Sequence, residues 1–337
     1  MKYKLTRREF FEKSLIGGSA VYLSSVKACS GKADDNFSNA PSKKSRIVIA
    51  KSELVRNSNN TLNASSIYNL LNSAIENFYE IYPAKKAWAR LFSPADTVGI
   101  KVNCLAGKGM SSSIELVEAI VENLISVGIK KDKVIIWDRA NRDLERAGYK
   151  IQTGFGNTRC YGNDISGYTN KLYESRSTGS FLSNILVHQC SAIINVPILK
   201  DHGIVGVTNA LKNFFGAIHN PNKYHSFAGN PFIADVNLIP DIRNKVKLTI
   251  TDSLTAQYEG GPPFMPHWSW HYNGLLVGTD MVAIDAAAWK IIEKKRAQKG
   301  ISSLKEAGRE PIYIKTAADA DHQLGESDLN KVEIVNV

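Results

Sequence analysis

The chain has 337 residues, of which 43% are hydrophobic and 22% are charged, and its formal net charge is +10. This composition is ordinary for a soluble globular protein, and the length fits one large domain as well as two. Four cysteines are too few for a disulfide scaffold. Without a C-x-x-C spacing they also exclude a zinc knuckle or a ferredoxin-type iron–sulfur cluster held by this chain alone. The four are Cys29, Cys104, Cys160 and Cys190.

Residues 1–29 have the pattern of an export signal rather than of a folded segment. The paired arginines Arg7 and Arg8 are followed closely by two phenylalanines, as in a twin-arginine signal. The apolar run Ser14–Val26 that follows has 13 residues. A membrane-spanning helix needs about 20. The segment therefore predicts export to the periplasm, with the twin-arginine export machinery as a partner and no permanent transmembrane anchor.

Cys29 directly follows the tripeptide Val26-Lys27-Ala28. This tripeptide places small residues, Val26 and Ala28, at positions −3 and −1 of a cleavage site before Cys29. Lys27, and the lack of a leucine three residues before the cysteine, depart from the usual lipobox. Two alternatives stay open: a soluble periplasmic protein, and a lipoprotein whose membrane contact is a lipid on Cys29. Because the twin-arginine route carries folded proteins, often with a cofactor already loaded, a bound divalent metal or cofactor is also expected. No residue of the sequence identifies it.

Removal of the signal leaves a moderately basic chain. Residues 1–29 carry six basic and two acidic residues, so the rest of the chain has a net charge of about +6. Such an excess favours anionic ligands in general. The sequence has no stripe of lysines and arginines with interleaved aromatic residues, which a nucleic-acid-binding protein would need. Nucleic acid is therefore not an expected partner.

Strands and helices alternate after a polar, flexible linker at residues 30–45. The predicted strands are Arg46–Lys51, Thr97–Asn103, Lys133–Asp138, Ala192–Pro197, Val246–Asp252 and Gly274–Val277. The predicted helices are Asn63–Tyr82, a helix from the capping serines Ser111–Ser113 to Val127, and Met281–Lys294. Short apolar strands separated by helices predict an α/β fold, with a mostly parallel sheet flanked by helices in a single large domain over residues 46–337.

Polar residues follow several of these apolar strands, at the sheet edge where α/β proteins bind their ligands. They are Lys101, Asn103, Asp138, Asn195, Lys200, His202, Asp252 and Asp280, with Asp285 one helical turn further on. Lysine supplies a point charge and asparagine an amide donor that does not titrate, a good combination for an anion. A nearby aspartate or histidine can act as a general base or as a metal ligand.

Helical spacing over Thr208–Phe215 places Asn209 and Asn213 on one face, with Lys212 beside them. A simpler interpretation stays open for each of these residues. Asn103 and Asn195 could only bond the backbone of a turn. Lys212 could be a solvated helix lysine, and Asp138 could cap the helix that follows it. The histidines of this region have no recognised metal-ligand spacing. The sequence also lacks the dinucleotide, P-loop, zincin and α/β-hydrolase motifs.

An ordered set of motifs resembles the DUF362 family, a domain of unknown function. The motifs are IKVN (Ile100–Asn103), IIWD (Ile135–Asp138), INVPILKDH (Ile194–His202), TNALKNFFG (Thr208–Gly216), ITDSL with GGPP (Ile250–Pro263) and GTDMVAIDA (Gly278–Ala286). The resemblance covers roughly residues 46–335. Many members carry ferredoxin-like cysteine clusters, which this chain lacks, so an iron–sulfur role is not carried over. The resemblance implies a fold and a site but no reaction.

The leading hypothesis is an exported enzyme acting on an anionic small molecule or saccharide, with polysaccharide degradation as one setting. His202, Asp138 and Lys200 would be catalytic. Lys101, Asn103, Asn195, Lys212 and Asn213 would bind substrate. Asp280 and Asp285 would hold a divalent cation or orient the lysines. The alternatives are a metal- or cofactor-binding redox accessory protein and a non-catalytic protein that binds an anionic ligand.

Overall fold

The structure is a computed structural model, and it describes residues 44–337. The predicted signal at residues 1–29, with Cys29, lies outside the described residues, as does the predicted linker except for its last two residues. None of the helices after Lys44 combines the length and the apolar character that a membrane-spanning segment requires.

The strands and helices alternate along much of the chain. The strands are β1 (Arg46–Lys51), β2 (Val98–Lys101), β3 (Val134–Trp137), β4 (Arg159–Cys160), β5 (Tyr173–Ser175), β6 (Thr178–Ser180), β7 (Ala192–Asn195), β8 (Ile198–His202), β9 (Gly206–Thr208), β10 (Val246–Gln257), β11 (Ser269–Gly278) and β12 (Glu333–Asn336). The α-helices are α1 (Ala64–Tyr79), α2 (Ala84–Leu91), α3 (Ile114–Ser126), α4 (Asn141–Ala147), α5 (Asn163–Ser166), α6 (Phe232–Asn237), α7 (Pro240–Arg243), α8 (Met281–Gln298) and α9 (Tyr313–Ala317). Short 3-10 turns lie at Glu53–Val55, Lys131–Lys133, Lys212–Ala217, Pro221–Tyr224, Ser226–Gly229 and Pro266–Trp268, and a π-helical turn lies at Ile185–Gln189.

One large sheet organises the described residues. Its strand order is β12-β1-β11-β10-β7-β2-β3-β4, and β8 pairs with both β10 and β9. Strand β11 is antiparallel to its neighbours β1 and β10, and β8 and β9 form an antiparallel hairpin, whereas the remaining pairs of the sheet are parallel. The sheet is therefore mixed but mostly parallel, which confirms the predicted α/β class.

Both faces of the sheet are covered, which explains why its strands are apolar runs without alternation. Ile193 and Ile194 are neighbours in β7, yet they pack into separate cores on opposite faces. Helices α1, α2 and α3 cover one face, and α6, α8 and α9 cover the other. Adjacent side chains of a strand point to opposite faces, so a strand buried on both sides needs apolar residues at every position.

The predicted helices and strands mostly agree with the structure, with small shifts at their ends. The helix predicted at Asn63–Tyr82 is α1, whose first turn is capped by the Asn63 side chain accepting from the Ser66 N–H at 3.0 Å. The strand predicted at Val246–Asp252 continues as β10 to Gln257. The helical reading of Thr208–Phe215 is wrong at its start, because Thr208 pairs with β8 as the last residue of β9.

The chain leaves two adjacent parallel strands, β2 and β7, in opposite directions. From β2 it runs through α3 to β3, and α3 packs on one face of the sheet. From β7 it runs to β10 on the other side, and α6 in this connection packs on the opposite face. Such a reversal leaves a crevice at the carboxyl ends of the two strands, where open α/β sheets bind ligands.

Candidate functional site

A cavity of about 350 Å³ lies at this crevice. It is lined by seven of the eight residues that the sequence predicts for catalysis and ligand binding. They are Lys101, Asn103, Asp138, Lys200, His202, Lys212 and Asn213. The volume is at the lower end of the range for small-molecule sites. The roles of these residues remain predictions, but their side chains face a common space.

An ion pair between Lys101 and Asp138 forms part of the cavity wall. The Lys101 Nζ lies 2.8 Å from Asp138 Oδ1, and it also donates to the Val102 carbonyl at 2.7 Å. The Asp138 carboxylate accepts the backbone N–H groups of Cys104 and Arg139 at 2.7 and 2.8 Å. Because its oxygens already accept these bonds, Asp138 is better placed to hold Lys101 than to take a proton from a ligand.

Two asparagines connect the ends of β2 and β7. Asn213 Nδ2 donates to the Lys101 carbonyl at 3.2 Å and to Asn195 Oδ1 at 2.8 Å. Asn195 in turn donates to the Ala210 carbonyl at 3.0 Å and does not line the cavity. Asn213 Oδ1 accepts from Asn103 Nδ2 at 3.1 Å. Asn103 and Asn213 therefore line the cavity, and Asn195 holds Asn213 in place without lining the cavity itself.

Strand β8 presents Lys200 and His202 to the cavity because side chains of a strand alternate between faces. Asp201, between them, points the other way and forms a buried ion pair with Arg309. Burial raises the pKa of Asp201 to about 6, although Arg309 opposes that shift. Arg309 also pairs with Glu259 at 2.7 Å. This network of Asp201, Arg309 and Glu259 holds β8 on the side of the strand that faces away from the cavity.

Two lysines of the cavity have no carboxylate partner within residues 44–337. Lys200 Nζ donates to the Pro262 carbonyl at 3.0 Å, and burial lowers its pKa to about 8. Lys212 Nζ has no hydrogen-bond partner among the described groups and lies 4.3 Å from the centre of the Phe215 ring. Burial, with the charges of Lys200 and Lys101, lowers the pKa of Lys212 to about 7.

The histidines His202 and His225 stack with their ring centres 5.4 Å apart. His202 Nδ1 accepts the backbone N–H groups of Ile204 and Val205 at 3.2 and 3.3 Å, so the neutral ring carries its proton on Nε2. His225 Nδ1 lies 3.2 Å from the Pro221 carbonyl, which makes Nδ1 the donor and leaves Nε2 as an acceptor. Burial and nearby lysines lower the pKa of both, that of His202 to about 2.

Two further polar atoms at the cavity have no partner among the described residues. They are Thr208 Oγ1 and Asn103 Oδ1. Thr208 is 4% exposed and lies opposite Lys200 in the β8–β9 hairpin. Buried polar atoms usually find a partner, so Thr208 Oγ1 is suited to a carbonyl or hydroxyl of a ligand and Asn103 Oδ1 to a ligand hydroxyl.

Asp280 and Asp285 do not line this cavity. Asp280 begins α8 and accepts the N–H groups of Val282 and Ala283, both at 2.9 Å. Asp285 accepts the N–H groups of Ala210 and Leu211 at 2.7 and 3.1 Å, so it fixes the loop before Lys212. These bonds occupy the carboxylates that the sequence offers as metal ligands, and this donor set fits a divalent cation poorly.

Within residues 44–337 no group of three or more histidine, cysteine, aspartate or glutamate side chains has a metal-binding arrangement. Cys104, Cys160 and Cys190 are free and buried. Burial raises the thiol pKa of Cys160 and Cys190 to about 12, and that of Cys104 well above its usual value. Thiols held in the protonated form are poor nucleophiles and poor ligands.

Several residues of the site escaped the sequence prediction. His225, Arg139 and Asp143 line the cavity, and none of them was assigned a role. Arg139 and Asp143 lie just after the predicted IIWD motif. The expectation that polar residues after an apolar strand lie at the ligand-binding edge of the sheet could therefore have included them. Arg309 gives no sequence signal, because its contact with Asp201 joins residues 108 positions apart.

The fold and the site define an α/β domain with a polar cavity at the carboxyl ends of its parallel strands. A family model for DUF362, a domain of unknown function, matches residues 98–290, more than half of the chain, and the chain belongs to this family. The match includes every cavity residue named above. No curated protein matches the chain significantly.

A crystal structure of a protein from Thermotoga maritima is similar, with a TM-score of 0.40 and 12% sequence identity. The alignment covers 69% of this chain and 58% of the Thermotoga chain.

Proposed function

We propose that this protein is an enzyme acting on a small anionic molecule or an anionic saccharide unit bound in the cavity at the β2–β7 crevice. The observation that carries the proposal is the placement of Lys200 and Lys212, two buried lysines without a carboxylate partner among residues 44–337. A buried ammonium group is costly unless it is paired. An anionic ligand would supply the missing partner.

The other groups of the cavity support binding of a polar ligand. Lys200 would hold the anionic group, and the Nε2 proton of His202 would be donated to a ligand oxygen. The Thr208 hydroxyl would donate to a carbonyl or hydroxyl oxygen of the ligand, and Asn103 Oδ1 would accept from a ligand hydroxyl. Lys101, already paired with Asp138, would position Asn213 and the cavity wall rather than carry the ligand's charge.

Calorimetric titration tests whether the cavity binds anions. Acetate, sulfate, phosphate and glucuronate serve as probes, and glucose serves as the neutral control. Binding of at least one anion is expected to weaken about tenfold or more in Lys200→Met, because a charge-assisted hydrogen bond is lost. The matched control is Lys86→Met, an exposed lysine of α2 that does not line the cavity. Equal binding by wild type and Lys200→Met for all four anions would contradict the proposal.

Turnover separates an enzyme from a non-catalytic binding protein that uses the same cavity. Each anion that binds is incubated with the protein and followed by NMR. An enzyme converts the ligand, whereas a binding protein returns the ligand unchanged. Binding without conversion of any bound ligand would support the second reading.

We further propose that the protein is exported to the periplasm by the twin-arginine route. Replacement of Arg7 and Arg8 by lysine is expected to retain the precursor in the cytoplasm on cell fractionation. Mass spectrometry of the exported protein then shows whether Cys29 carries a lipid and whether a metal or cofactor is bound in stoichiometric amount. A bound redox cofactor would favour the accessory-protein reading.

A further inference from the structure

Lys212 differs from the other two lysines of the cavity in what its nitrogen contacts. Lys101 is paired with Asp138, and Lys200 donates to the Pro262 carbonyl. The Lys212 side chain is 9% exposed, lies over the Phe215 ring, and lines the cavity without a hydrogen-bond partner in the described part of the chain. It is therefore the lysine whose nitrogen is open to a ligand.

The surroundings of Lys212 also favour its neutral form. Burial comes first among the causes that lower its pKa to about 7, and Lys200 and Lys101 follow. At pH 7 a far larger fraction of Lys212 is therefore neutral amine than of an ordinary solvated lysine, which is neutral in less than about one molecule in a thousand. A lysine desolvated in a pocket and placed beside other cations is a recognised kind of amine nucleophile.

We propose that Lys212 forms a Schiff base with the carbonyl carbon of a small 2-oxo acid whose carboxylate is bound by Lys200. This inference rests on the proposed function and names its substrate class. A 2-oxo acid carries a carboxylate next to a carbonyl. The charged Lys200 would bind the carboxylate, and the neutral amine of Lys212 would attack the adjacent carbonyl carbon. Thr208 Oγ1, opposite Lys200 in the β8–β9 hairpin, can donate to the carbonyl oxygen.

The step is balanced in atoms and charge without an oxidant or reductant. The Lys212 ammonium gives one proton to Nε2 of His225, a cavity residue whose Nδ1 contacts the Pro221 carbonyl and so leaves Nε2 as the acceptor. The neutral amine adds to the carbonyl carbon, and one of its protons moves to the former carbonyl oxygen. That oxygen leaves as water with the proton returned by His225, and the carbon–nitrogen double bond of the protonated imine forms.

Reductive trapping tests the proposal on the wild-type protein. The protein is incubated at pH 7 with pyruvate or glyoxylate and sodium cyanoborohydride, digested, and analysed by mass spectrometry for secondary amines at each lysine. Lys212 is expected to be labelled at least about tenfold faster than the exposed Lys86 in the same digest, because far more of it is neutral. Acetone, a ketone without a carboxylate, is expected to label Lys212 more slowly than pyruvate does.

Two variants locate the two functions. Lys200→Met is expected to remove the advantage of pyruvate over acetone, and Lys212 should react more slowly with both ketones because loss of the Lys200 charge raises the pKa of Lys212. Lys212→Met is expected to lose the label at this peptide, with circular dichroism confirming that it folds. The internal comparison of Lys212 with Lys86 in the wild type needs no variant, so a folding defect cannot obscure the result.

Labelling of Lys212 no faster than Lys86 by either oxo acid would overturn the Schiff-base inference. If anions still bind and Lys200→Met weakens them, the proposed function stands and only the inference fails. If no anion binds in the calorimetric titration either, both fail.

Discussion

The ammonium group of Lys101 lies 2.8 Å from Oδ1 of Asp138, and Gly216 packs against both groups. Lys101 is fully buried and Asp138 is 6% exposed, so neither charge is stabilised by bulk water. The two residues are the last residue of β2 and the residue after β3, and their pairing joins two neighbouring strands at the rim of the cavity. This ion pair therefore determines the local shape of the site.

Breaking the ion pair from one side should destabilise the protein strongly. Asp138→Asn leaves the Lys101 charge buried without a counter-ion, which typically costs about 3–5 kcal/mol of unfolding free energy. The double variant Lys101→Met with Asp138→Asn removes both charges and should recover part of that loss. Guanidinium denaturation of the wild type, both single variants and the double variant measures the interaction. Additive losses in the double variant would contradict the importance of the pair.

Gly216 is required because a side chain at this position would enter the ion pair. A Cβ there would lie 2.8 Å from Lys101 Nζ and 2.9 Å from Asp138 Oδ1. Gly216→Ala is therefore expected to lower the unfolding free energy by about 1–3 kcal/mol and to weaken anion binding. Denaturation and calorimetry measure the two effects.

The control for this variant is Gly179→Ala in β6. A Cβ at Gly179 would find its nearest neighbour at 3.8 Å, an ordinary contact. Its stability and anion binding should stay near those of the wild type. A Gly216→Ala variant as stable as Gly179→Ala would show that the ion pair can move aside.

The sequence predicts that the site lies at the carboxyl ends of the parallel strands, and two features of the chain make this prediction possible. Strands such as β2, β3 and β7 are apolar runs, so their polar last residues stand out. The carboxyl ends of adjacent parallel strands also meet at one edge. Lys101, Asp138 and Asn195 could therefore be placed together before the structure was known.

The β8–β9 hairpin could not be predicted by the same rules. Its Lys200, Asp201 and His202 are all buried, so the hairpin lacks the alternation of apolar and polar residues that identifies a strand. Asp201 and Lys200 are satisfied by partners distant in sequence, Arg309 and the Pro262 carbonyl. Local patterns contain no information about such pairs.

Asp285 provides a test between a structural and a metal-binding role. Its carboxylate accepts the N–H groups of Ala210 and Leu211, so Asp285→Ala leaves two buried donors without a partner. The expected loss is about 1–3 kcal/mol of unfolding free energy, and it should be the same with EDTA or with added Mg²⁺. The measurement is thermal denaturation under both conditions. Stabilisation of the wild type by Mg²⁺ that disappears in Asp285→Ala would instead support the metal site predicted from the sequence.

The buried ammonium group of Lys212 should lower the unfolding free energy of the protein. Its pKa is about 7 in the folded protein, against an ordinary value of 10.5. Between these two values the unfolded chain binds a proton that the folded protein lacks, so this lysine makes wild-type stability rise with pH. Below pH 7 the folded protein carries the full cost of the buried ammonium. Lys212→Met is therefore expected to raise the unfolding free energy at pH 6 by on the order of 2–4 kcal/mol.

The pH dependence of that gain distinguishes a charge effect from better packing. The gain of Lys212→Met over the wild type should be largest at pH 6 and should shrink steadily as the pH rises from 7 toward 10.5, since the folded wild type loses this proton over that range while the unfolded chain keeps it, which raises wild-type stability. Denaturation at several pH values measures it, with Lys86→Met as the exposed control that should show no such trend. A gain that is constant with pH would mean that methionine merely packs better against Phe215. A loss of stability at pH 6 would mean that the Lys212 ammonium has a stabilising partner in the folded protein.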